Sequence, residues 1–348
     1  MTANGSPLSR AAWVCGALLL ACSGCGEGGG RSGSPADSLP PHIRQLTPWG
    51  ARPDWSHDGR RLLLIDGLVG DVFELELATG SLRPLTQHYE NAGYTRALYL
   101  ANGDVLLAGP RERDPEDPEQ GRWTAELWVL DPSRAGPAWP LDQPCFEGPA
   151  VSRERMRIAW TLSDYPKRVL FGDSEIWTGE IEYAGGYARL VRRKQLLAAS
   201  DVSAVAFLEA QSFRPPDDGE LLFTAYGYRG GEVMGFQLAT GELRNYSRNW
   251  TYDEAEGVFP DGRHIAVERN PRNFFLPGRV EIWKLALDES GGYERLTHFT
   301  DFEGYGASNP VLSDDGRSMA FQLSVEGGSY GNGRGIFVYD LVAATHAR

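Results

Sequence analysis

The chain has 348 residues, of which 47 are acidic and 34 are lysine or arginine, so its formal net charge is −13. An acidic chain without a basic stripe is a poor candidate for binding nucleic acid or an anionic membrane surface, so we expect neither partner. A hydrophobic content of 41% is enough for a sizeable core, and 42 glycines and 22 prolines suit a fold with many tight turns.

Residues 1–21 have the pattern of an export signal. Arg10 precedes an apolar run over residues 11–21, and this run is far shorter than the roughly 20 residues that a membrane-spanning helix needs. The run ends in the letters LLAC, which resemble the bacterial lipobox, and that resemblance implies lipidation of Cys22 as the mature N-terminus. The alternatives are an ordinary cleaved signal or a short anchor that stays uncleaved.

The lipobox resemblance also implies a location. We expect the protein in the bacterial cell envelope, held by the lipid on Cys22 at the periplasmic face of the outer membrane, with no other membrane contact. Residues 22–41 are rich in glycine, serine and proline, and such segments bury too little surface to fold, so they predict a flexible tether. With Cys15 removed and Cys22 lipidated, only Cys25 and Cys145 remain, and no disulfide framework is expected.

An internal repeat is the strongest pattern in the sequence. Residues 54–60, 257–263 and 311–317 each carry a short apolar strand that ends at an Asp-Gly pair, and another apolar strand follows. Asp-Gly between two such runs favours a hairpin, because glycine tolerates the positive φ of a tight turn. A second hairpin follows in each unit, as where residues 73–77 alternate in polarity and then turn at residues 78–80. Each unit is therefore predicted to contain four short antiparallel strands.

Six units of this kind follow one another along the chain. Their first turns lie near Gly59, Gly103, Glu154, Gly219, Gly262 and Gly316. The mean spacing of about 51 residues is a little above that of propeller blades. The pattern predicts that residues 42–348 form an all-β domain, a six-bladed β-propeller of four-stranded antiparallel blades.

The N-terminal strand is predicted to close the ring. The last unit supplies three strands and ends near Leu341, while residues 44–47 (RQLT) echo the fourth strands at residues 83–86 (RPLT) and 294–297 (ERLT). We therefore expect the first strand of the domain to pair with the last one. Such closure removes the sheet edges that an open array would expose.

These repeats resemble the WD40-like repeats of the periplasmic TolB propellers. In that family a serine or proline, an Asp-Gly pair and a basic residue precede a strand, as at residues 56–60 here, and a later strand ends in Leu-Thr, as at residues 85–86. The resemblance covers about residues 42–348 and implies the propeller fold. The α/β domain that precedes the propeller in TolB is not expected here, because too few residues precede residue 42.

The strand order assigns the loops to two faces. Links between first and second strands, and between third and fourth strands, share one face, which we call the turn face. The other links share the opposite face, which we call the loop face, and the long ones are residues 110–124, 163–174, 269–278 and 324–334. Function concentrates in long loops on rigid scaffolds, so the loop face is the predicted binding face. Phe274, Phe275 and Leu276 form a candidate anchor for a partner there, unless they fold back over the blade ends.

Acidic residues stand just before the predicted first strands. They are Glu90, Glu147, Asp201, Glu254, Glu256 and Glu303. First strands line the central channel of a propeller, so these carboxylates are predicted to meet around one channel mouth. A carboxylate ring would attract a divalent cation such as Ca²⁺, an amine or a basic peptide. The alternative is that the acids lie in solvated turns or cap backbone amides.

The pattern favours a binding module over an enzyme. We expect a membrane-tethered propeller that recognises an envelope protein, a peptide or a polysaccharide through the loop face. The alternative is a propeller enzyme, of the lyase or lactonase type, acting at a cation bound in the channel mouth. Such an enzyme needs a tight cluster of polar side chains on the inner strands, and the inner strands look mostly apolar in the sequence.

Overall fold

The computed structural model describes residues 30–114, 116–163, 174–202, 207–227, 230–272, 278–328 and 333–346. All of the elements below lie in the compact unit Arg31–Arg348. Among the described residues, no helix is long and apolar enough to cross a membrane. The export segment, Cys22 and residues 274–276 lie outside the described residues, so their predicted roles stay predictions.

The described chain is built almost entirely from strands. In chain order they are β1 (Ile43–Thr47), β2 (Ala51–Trp55), β3 (Arg61–Ile65), β4 (Val72–Glu76), β5 (Leu82–Pro84), β6 (Arg96–Tyr99), β7 (Val105–Pro110), β8 (Ala125–Leu130), β9 (Trp139–Pro144), β10 (Phe146–Val151), β11 (Arg157–Ser163), β12 (Ser174–Ala184), β13 (Tyr187–Ala198), β14 (Phe207–Phe213), β15 (Glu220–Tyr226), β16 (Gly231–Gln237), β17 (Leu243–Asn245), β18 (Tyr252–Val258), β19 (His264–Asn270), β20 (Glu281–Ala286), β21 (Tyr293–Arg295), β22 (Tyr305–Leu312), β23 (Ser318–Val325) and β24 (Ile336–Asp340). The helices are the 3₁₀ turns Pro35–Ser38, Pro118–Arg122 and Phe299–Asp301, and the short α1 (Ala199–Val202) and α2 (Leu341–His346).

The strands form antiparallel sheets that follow the chain. β2–β5, β6–β9 and β10–β13 each make a four-stranded sheet, and β22–β24 make a fourth with β1. β14–β21 form one eight-stranded sheet, in which two groups of four strands are joined by a single parallel bridge between Gly231 and Tyr252. The predicted all-β propeller architecture is therefore present, but only four of the six predicted blades stand as separate four-stranded sheets. Gly231 favours this close approach, because a Cβ there would lie 3.2 Å from the carbonyl oxygen of Asp253.

The first strand completes the last sheet, as the repeat pattern predicts. β1 runs antiparallel to β24, with Ile43 opposite Tyr339 and Arg44 opposite Val338. Ile43 is buried in one apolar cluster with Phe337 and Tyr339. The two ends of the domain are therefore joined by backbone hydrogen bonds and by packing.

Part of the segment that was predicted as tether contacts this last sheet. The Arg31 N–H donates to the carbonyl of Asp301 at 2.8 Å, and Ser34 caps the 3₁₀ turn Pro35–Ser38 with a capping box. Ala36 and Leu39 pack against the same apolar cluster as Ile43. These residues are docked because they bring apolar side chains and a satisfied cap.

The core lies between neighbouring sheets. One buried cluster combines Leu63 and Ile65 of β3 with Tyr99 of β6 and Leu107 of β7. The next clusters repeat the arrangement between the following sheets. Each fully buried aliphatic side chain contributes roughly 1.5–3 kcal/mol, so every sheet depends on its neighbours for stability.

The first strands of the successive units close a ring. β2, β6, β10, β14, β18 and β22 each contact the next, and β22 contacts β2. In five of these strands the pairing with the second strand is interrupted by a bulge or irregularity. Arg52, Glu147 and Asn309 lie in these interruptions with φ between 50° and 55°. Bulges of this kind re-aim side chains, and here they occur on the strands that line the central channel.

Candidate functional site

The central channel is lined by buried charged side chains. Arg52, Glu147, Glu209 and Glu256 all lie on first strands and are at most 7% exposed. The sequence-based description of the inner strands as mostly apolar is therefore wrong for their channel-facing positions. Successive side chains of a strand point to opposite sides, so only every second residue of an inner strand faces the channel. The composition of the whole strand therefore does not reveal the charged residues at the channel-facing positions.

Three carboxylates converge on one side of the channel. Glu254 and Glu256 lie on β18 and Glu268 on the adjacent β19, and one oxygen from each lies within 4.8 Å of the others. Asn309 of β22 donates its Nδ2–H to Glu256 Oε1 at 3.1 Å and to Glu268 Oε1 at 3.2 Å. The Oδ1 atom of Asn309 is buried and has no hydrogen-bond partner in the part of the chain that the structure describes. We call these four residues the carboxylate cluster.

The carboxylate cluster is costly to ionise. Burial, together with Glu254, raises the pKa of Glu256 to about 7. Burial, with Glu254 and Glu256 adding repulsion, raises the pKa of Glu268 well above its ordinary range. Burial, with the Glu254 and Glu147 charges adding repulsion, also raises the pKa of Glu209 well above its ordinary range. A cation placed here would replace protons and relieve this repulsion.

Arginines occupy the other side of the channel. Arg52 Nη2 lies 3.5 Å from Glu147 Oε2, and Arg122 pairs with the other oxygen of Glu147. These arginines, with Arg96, overcome the effect of burial and lower the pKa of Glu147. Burial opposes the charge on Arg96, but Glu256, Glu209 and other carboxylates outweigh it and raise its pKa. Gly148 leaves room for this side chain, because a Cβ there would lie 2.7 Å from Arg96 Nε.

Aromatic rings occupy the loop-face end of the inner strands. Trp123 stacks on Phe146, Phe146 contacts Phe207, Phe207 stacks on Tyr226, and Tyr226 lies 6.1 Å from Tyr252 between ring centroids. The Tyr226 hydroxyl donates to Glu209 at 2.9 Å, and the Tyr252 hydroxyl donates to Glu254. The loop before β8 therefore reaches the channel through its last residues, although most of the described side chains over residues 111–120 are exposed.

A cavity of about 320 Å³ lies toward the turn-face end of the channel. Its lining includes Arg96 and Glu256 together with residues that flank the first hairpin turns, among them Pro260 and Asp314. Arg153, which follows β10, bonds to Asp314 Oδ1 and to the Trp55 carbonyl, both at 2.7 Å. This cavity therefore lies toward the turn face, whereas the lengths of the loops predicted the loop face as the binding face.

The structure brings together only some of the predicted acidic residues. Glu254 and Glu256 belong to the carboxylate cluster, and Glu147 is ion-paired across the channel from it. Glu90 and Glu303 have exposed side chains. Asp201 accepts a hydrogen bond from the backbone N–H of Ala198 at 2.7 Å, which is the capping role considered as the alternative.

Sequence reasoning missed several channel residues. Glu209, Glu268, Arg52, Arg96 and Asn309 were not singled out. Their common signal is a polar residue inside an otherwise apolar first or second strand, which in a buried strand is unusual enough to mark a site. Glu268 sits on a second strand, and only the packing of β18 on β19 brings it to Glu256.

Known structures share this architecture. TolB from Acinetobacter baumannii aligns with a TM-score of 0.51 at 12% identity, over 78% of this chain and 59% of the TolB chain. An oligogalacturonate lyase in complex with manganese aligns with a TM-score of 0.53 at 13% identity, over 86% of this chain and 78% of the lyase. A gluconolactonase from Xanthomonas campestris aligns with a TM-score of 0.52 at 13% identity, over 86% and 89%.

No protein-family model matches the chain, and no curated protein matches it in sequence. At such low identity, the structural likeness establishes the β-propeller fold alone. The chain spans 59% of the length of the TolB structure. The proteins that share the fold include TolB as well as a lyase and a lactonase, so the fold does not choose between binding and catalysis.

Proposed function

We propose that this chain is a six-bladed, ligand-binding propeller, held at the bacterial envelope by a lipid on Cys22, that binds a divalent cation in its channel. The blade count is supported by the ring of six first strands and by the division of the eight-stranded sheet into two antiparallel groups of four. Among the described residues, the two groups are joined by one bridge, between Gly231 and Tyr252. An experimental structure with any other number of inner strands would contradict this count.

The convergence of three carboxylates carries the cation proposal. Glu254, Glu256 and Glu268 offer oxygen atoms at spacings that one ion can bridge. Calcium and manganese prefer such oxygen ligands. The buried Oδ1 of Asn309 has no partner among the residues that the structure describes. A rotation of this amide would add a fourth oxygen where its Nδ2 now contacts Glu256 and Glu268. The manganese complex of the lyase makes this metal a probe to include.

Calorimetric titration of metal-free protein with Ca²⁺, Mn²⁺ and Mg²⁺ tests the proposal. We expect one ion per chain for at least one metal, with proton release, because burial and the neighbouring carboxylates raise the pKa of Glu268 and a bound cation would oppose that rise. The double variant Glu254→Gln and Glu268→Gln should lose this binding while keeping its circular dichroism spectrum. Glu90→Gln, an exposed control, should bind as the wild type does. Binding that survives the double variant, or binding of none of the three metals, would contradict the cation site.

An enzymatic use of the same channel is the second candidate. It is favoured by Tyr226 and Tyr252, whose hydroxyls bond to Glu209 and Glu254 beside the proposed cation. A tyrosine held by a carboxylate can move a proton during lyase or lactonase chemistry. Assays of oligogalacturonate cleavage and of gluconolactone hydrolysis with Mn²⁺ or Ca²⁺ test it. Turnover that Tyr252→Phe abolishes would favour the enzyme, whereas no turnover of either substrate leaves binding as the function.

The partner is proposed to be an envelope protein, a peptide or a polysaccharide that contacts the loop face. Phe274, Phe275 and Leu276 are the candidate anchor in this face. Crosslinking in the native envelope followed by affinity purification identifies the partner. A variant with these three residues changed to serine should lose the crosslinks, and unchanged crosslinks would place the partner elsewhere on the surface.

A further inference from the structure

The cavity at the turn-face end of the channel has the form of a small-molecule site. Its volume of about 320 Å³ falls at the lower end of the range of ligand pockets. Much of its wall is apolar, formed by Leu98, Val151, Phe213, Val258 and Leu312. A surface of this composition favours a ligand with an apolar stem over a hydrated ion, because apolar area gains free energy when it leaves water.

The charges on the cavity wall are mostly negative. Five carboxylates line it, against the guanidinium groups of Arg96 and Arg153 alone. Arg153 is already engaged, since its Nε bonds to Asp314 and its Nη1 lies 3.5 Å from Asp54 Oδ2. Arg96 faces the carboxylates of Glu256 and Glu209, which hold its pKa above the ordinary value against the effect of burial. The carboxyl groups of the cavity wall therefore outnumber its guanidinium groups, and both guanidinium groups already interact with carboxyl groups.

Polar groups without partners also face this space. The Gln211 side chain lines the cavity, and its buried Nε2 has no hydrogen-bond partner among the described residues. Asp54 uses Oδ2 to accept from the Tyr99 N–H at 2.8 Å and to meet Arg153. Its Oδ1 makes none of the hydrogen bonds found in the described part of the chain. The Asp54 Oδ1 atom is thus available to accept a hydrogen bond from a ligand, whereas the Gln211 Nε2–H is a donor and needs an acceptor such as water.

We propose that this cavity binds a small organic cation, a protonated amine on an apolar stem, with the ammonium group between Asp54 and Glu256. The apolar stem lies against Leu98 and the opposing valines. An anionic ligand is disfavoured because both arginines are neutralised. The site goes beyond the proposed cation site, because only Glu256 is common to the two and the carboxylates of Glu254 and Glu268 do not line the cavity.

Titration of the whole protein with three molecules of one shape tests the charge requirement. The probes are n-hexylammonium, hexan-1-ol and hexanoate, followed by calorimetry in EDTA so that no divalent cation competes. We expect hexylammonium to bind at least about tenfold more tightly than hexanol, and hexanoate to bind least. Equal binding of hexylammonium and hexanol, or preferred binding of hexanoate, would overturn the proposal.

Variants test the position of the site. Leu98→Trp should fill the cavity and abolish hexylammonium binding, whereas Leu82→Trp at an exposed position should have no effect. Asp54→Asn keeps an acceptor for the Tyr99 N–H but removes the charge, and should weaken binding about tenfold. If Leu98→Trp has the wild-type circular dichroism spectrum and still binds, the ligand lies elsewhere and the proposal is wrong.

The divalent-cation site and the amine site can be refuted independently of each other. The double variant Glu254→Gln and Glu268→Gln should lose divalent-cation binding and retain hexylammonium binding. Leu98→Trp should do the reverse. A variant that loses both ligands together would show that they share one site, and would overturn the separate amine site.

Discussion

Glu256 gives the sharpest test of the channel electrostatics. This side chain is 5% exposed, and burial with the Glu254 charge raises its pKa from the ordinary 4.5 to about 7. Below pH 4.5 the carboxyl is protonated in both the folded and the unfolded protein. Between pH 4.5 and 7 the folded protein still holds a proton that the unfolded chain has released, so the free energy of unfolding falls as the pH rises. Above pH 7 this contribution is constant.

The size of the effect follows from the pKa difference. At about 1.4 kcal/mol per pH unit, Glu256 should lower the free energy of unfolding by about 3 kcal/mol between pH 4.5 and 7 in metal-free buffer. Glu256→Gln keeps an oxygen to accept from Asn309 but cannot ionise. We therefore expect this variant to be more stable than the wild type at pH 8 and to lose about 3 kcal/mol of the pH dependence.

Urea denaturation followed by tryptophan fluorescence at pH 5 and pH 8 measures both quantities. Other groups also titrate in this range, so the informative quantity is the difference between wild type and Glu256→Gln at each pH. Glu90→Gln, which alters an exposed carboxylate, should match the wild type. A Glu256→Gln variant with the wild-type pH dependence would show that Glu256 titrates normally, and would refute the reasoning. If the cation site is real, Ca²⁺ or Mn²⁺ at 100 times its dissociation constant should restore roughly 2.7 kcal/mol at pH 8.

Three further predictions test other parts of the molecule. Deletion of residues 41–48 removes β1 and leaves β24 as an open edge, so the melting temperature should fall by at least about 10 °C, and unchanged melting would contradict closure by β1. Cys22→Ala should abolish palmitate labelling and membrane retention, and a variant that still labels would exclude lipidation at Cys22. The hydrogen bond from His57 to Asp314, at 2.8 Å, raises the pKa of His57, so Asp314→Asn should lower it in an NMR pH titration, whereas an unchanged value would assign the rise to another group.

The propeller repeat was predictable because its signals are local. The Asp-Gly pairs at residues 58–59 and 315–316 specify turns from the conformational freedom of glycine, and Gly59 and Gly316 both have φ of 67°. Alternation of polarity specifies strands. The echo between residues 44–47 and the other fourth strands predicted the pairing of β1 with β24, because equivalent strands of a repeat occupy equivalent places.

The channel was only partly predictable. The acidic link before β18 pointed to Glu254 and Glu256, which lie in the carboxylate cluster. The same pattern pointed equally to Glu90 and Glu303, which are exposed. A carboxylate before a strand has the same local pattern whether it is solvated or buried. A solvated carboxylate and a buried one differ in their distance to residues of other units. The residues next to the carboxylate in the sequence do not determine that distance.

By itself the sequence determined the strand repeat, the turns and the pairing of the first strand with the last, because each follows from the chemistry of a few consecutive residues. The tertiary structure alone decided which charges meet. Glu268 reaches Glu256 through strand pairing, Asn309 joins them from the next unit, and the left-handed backbone at Asn309 belongs to an interruption in its strand. These contacts join residues 12 to 53 positions apart, so they depend on ring geometry and bulges rather than on local pattern.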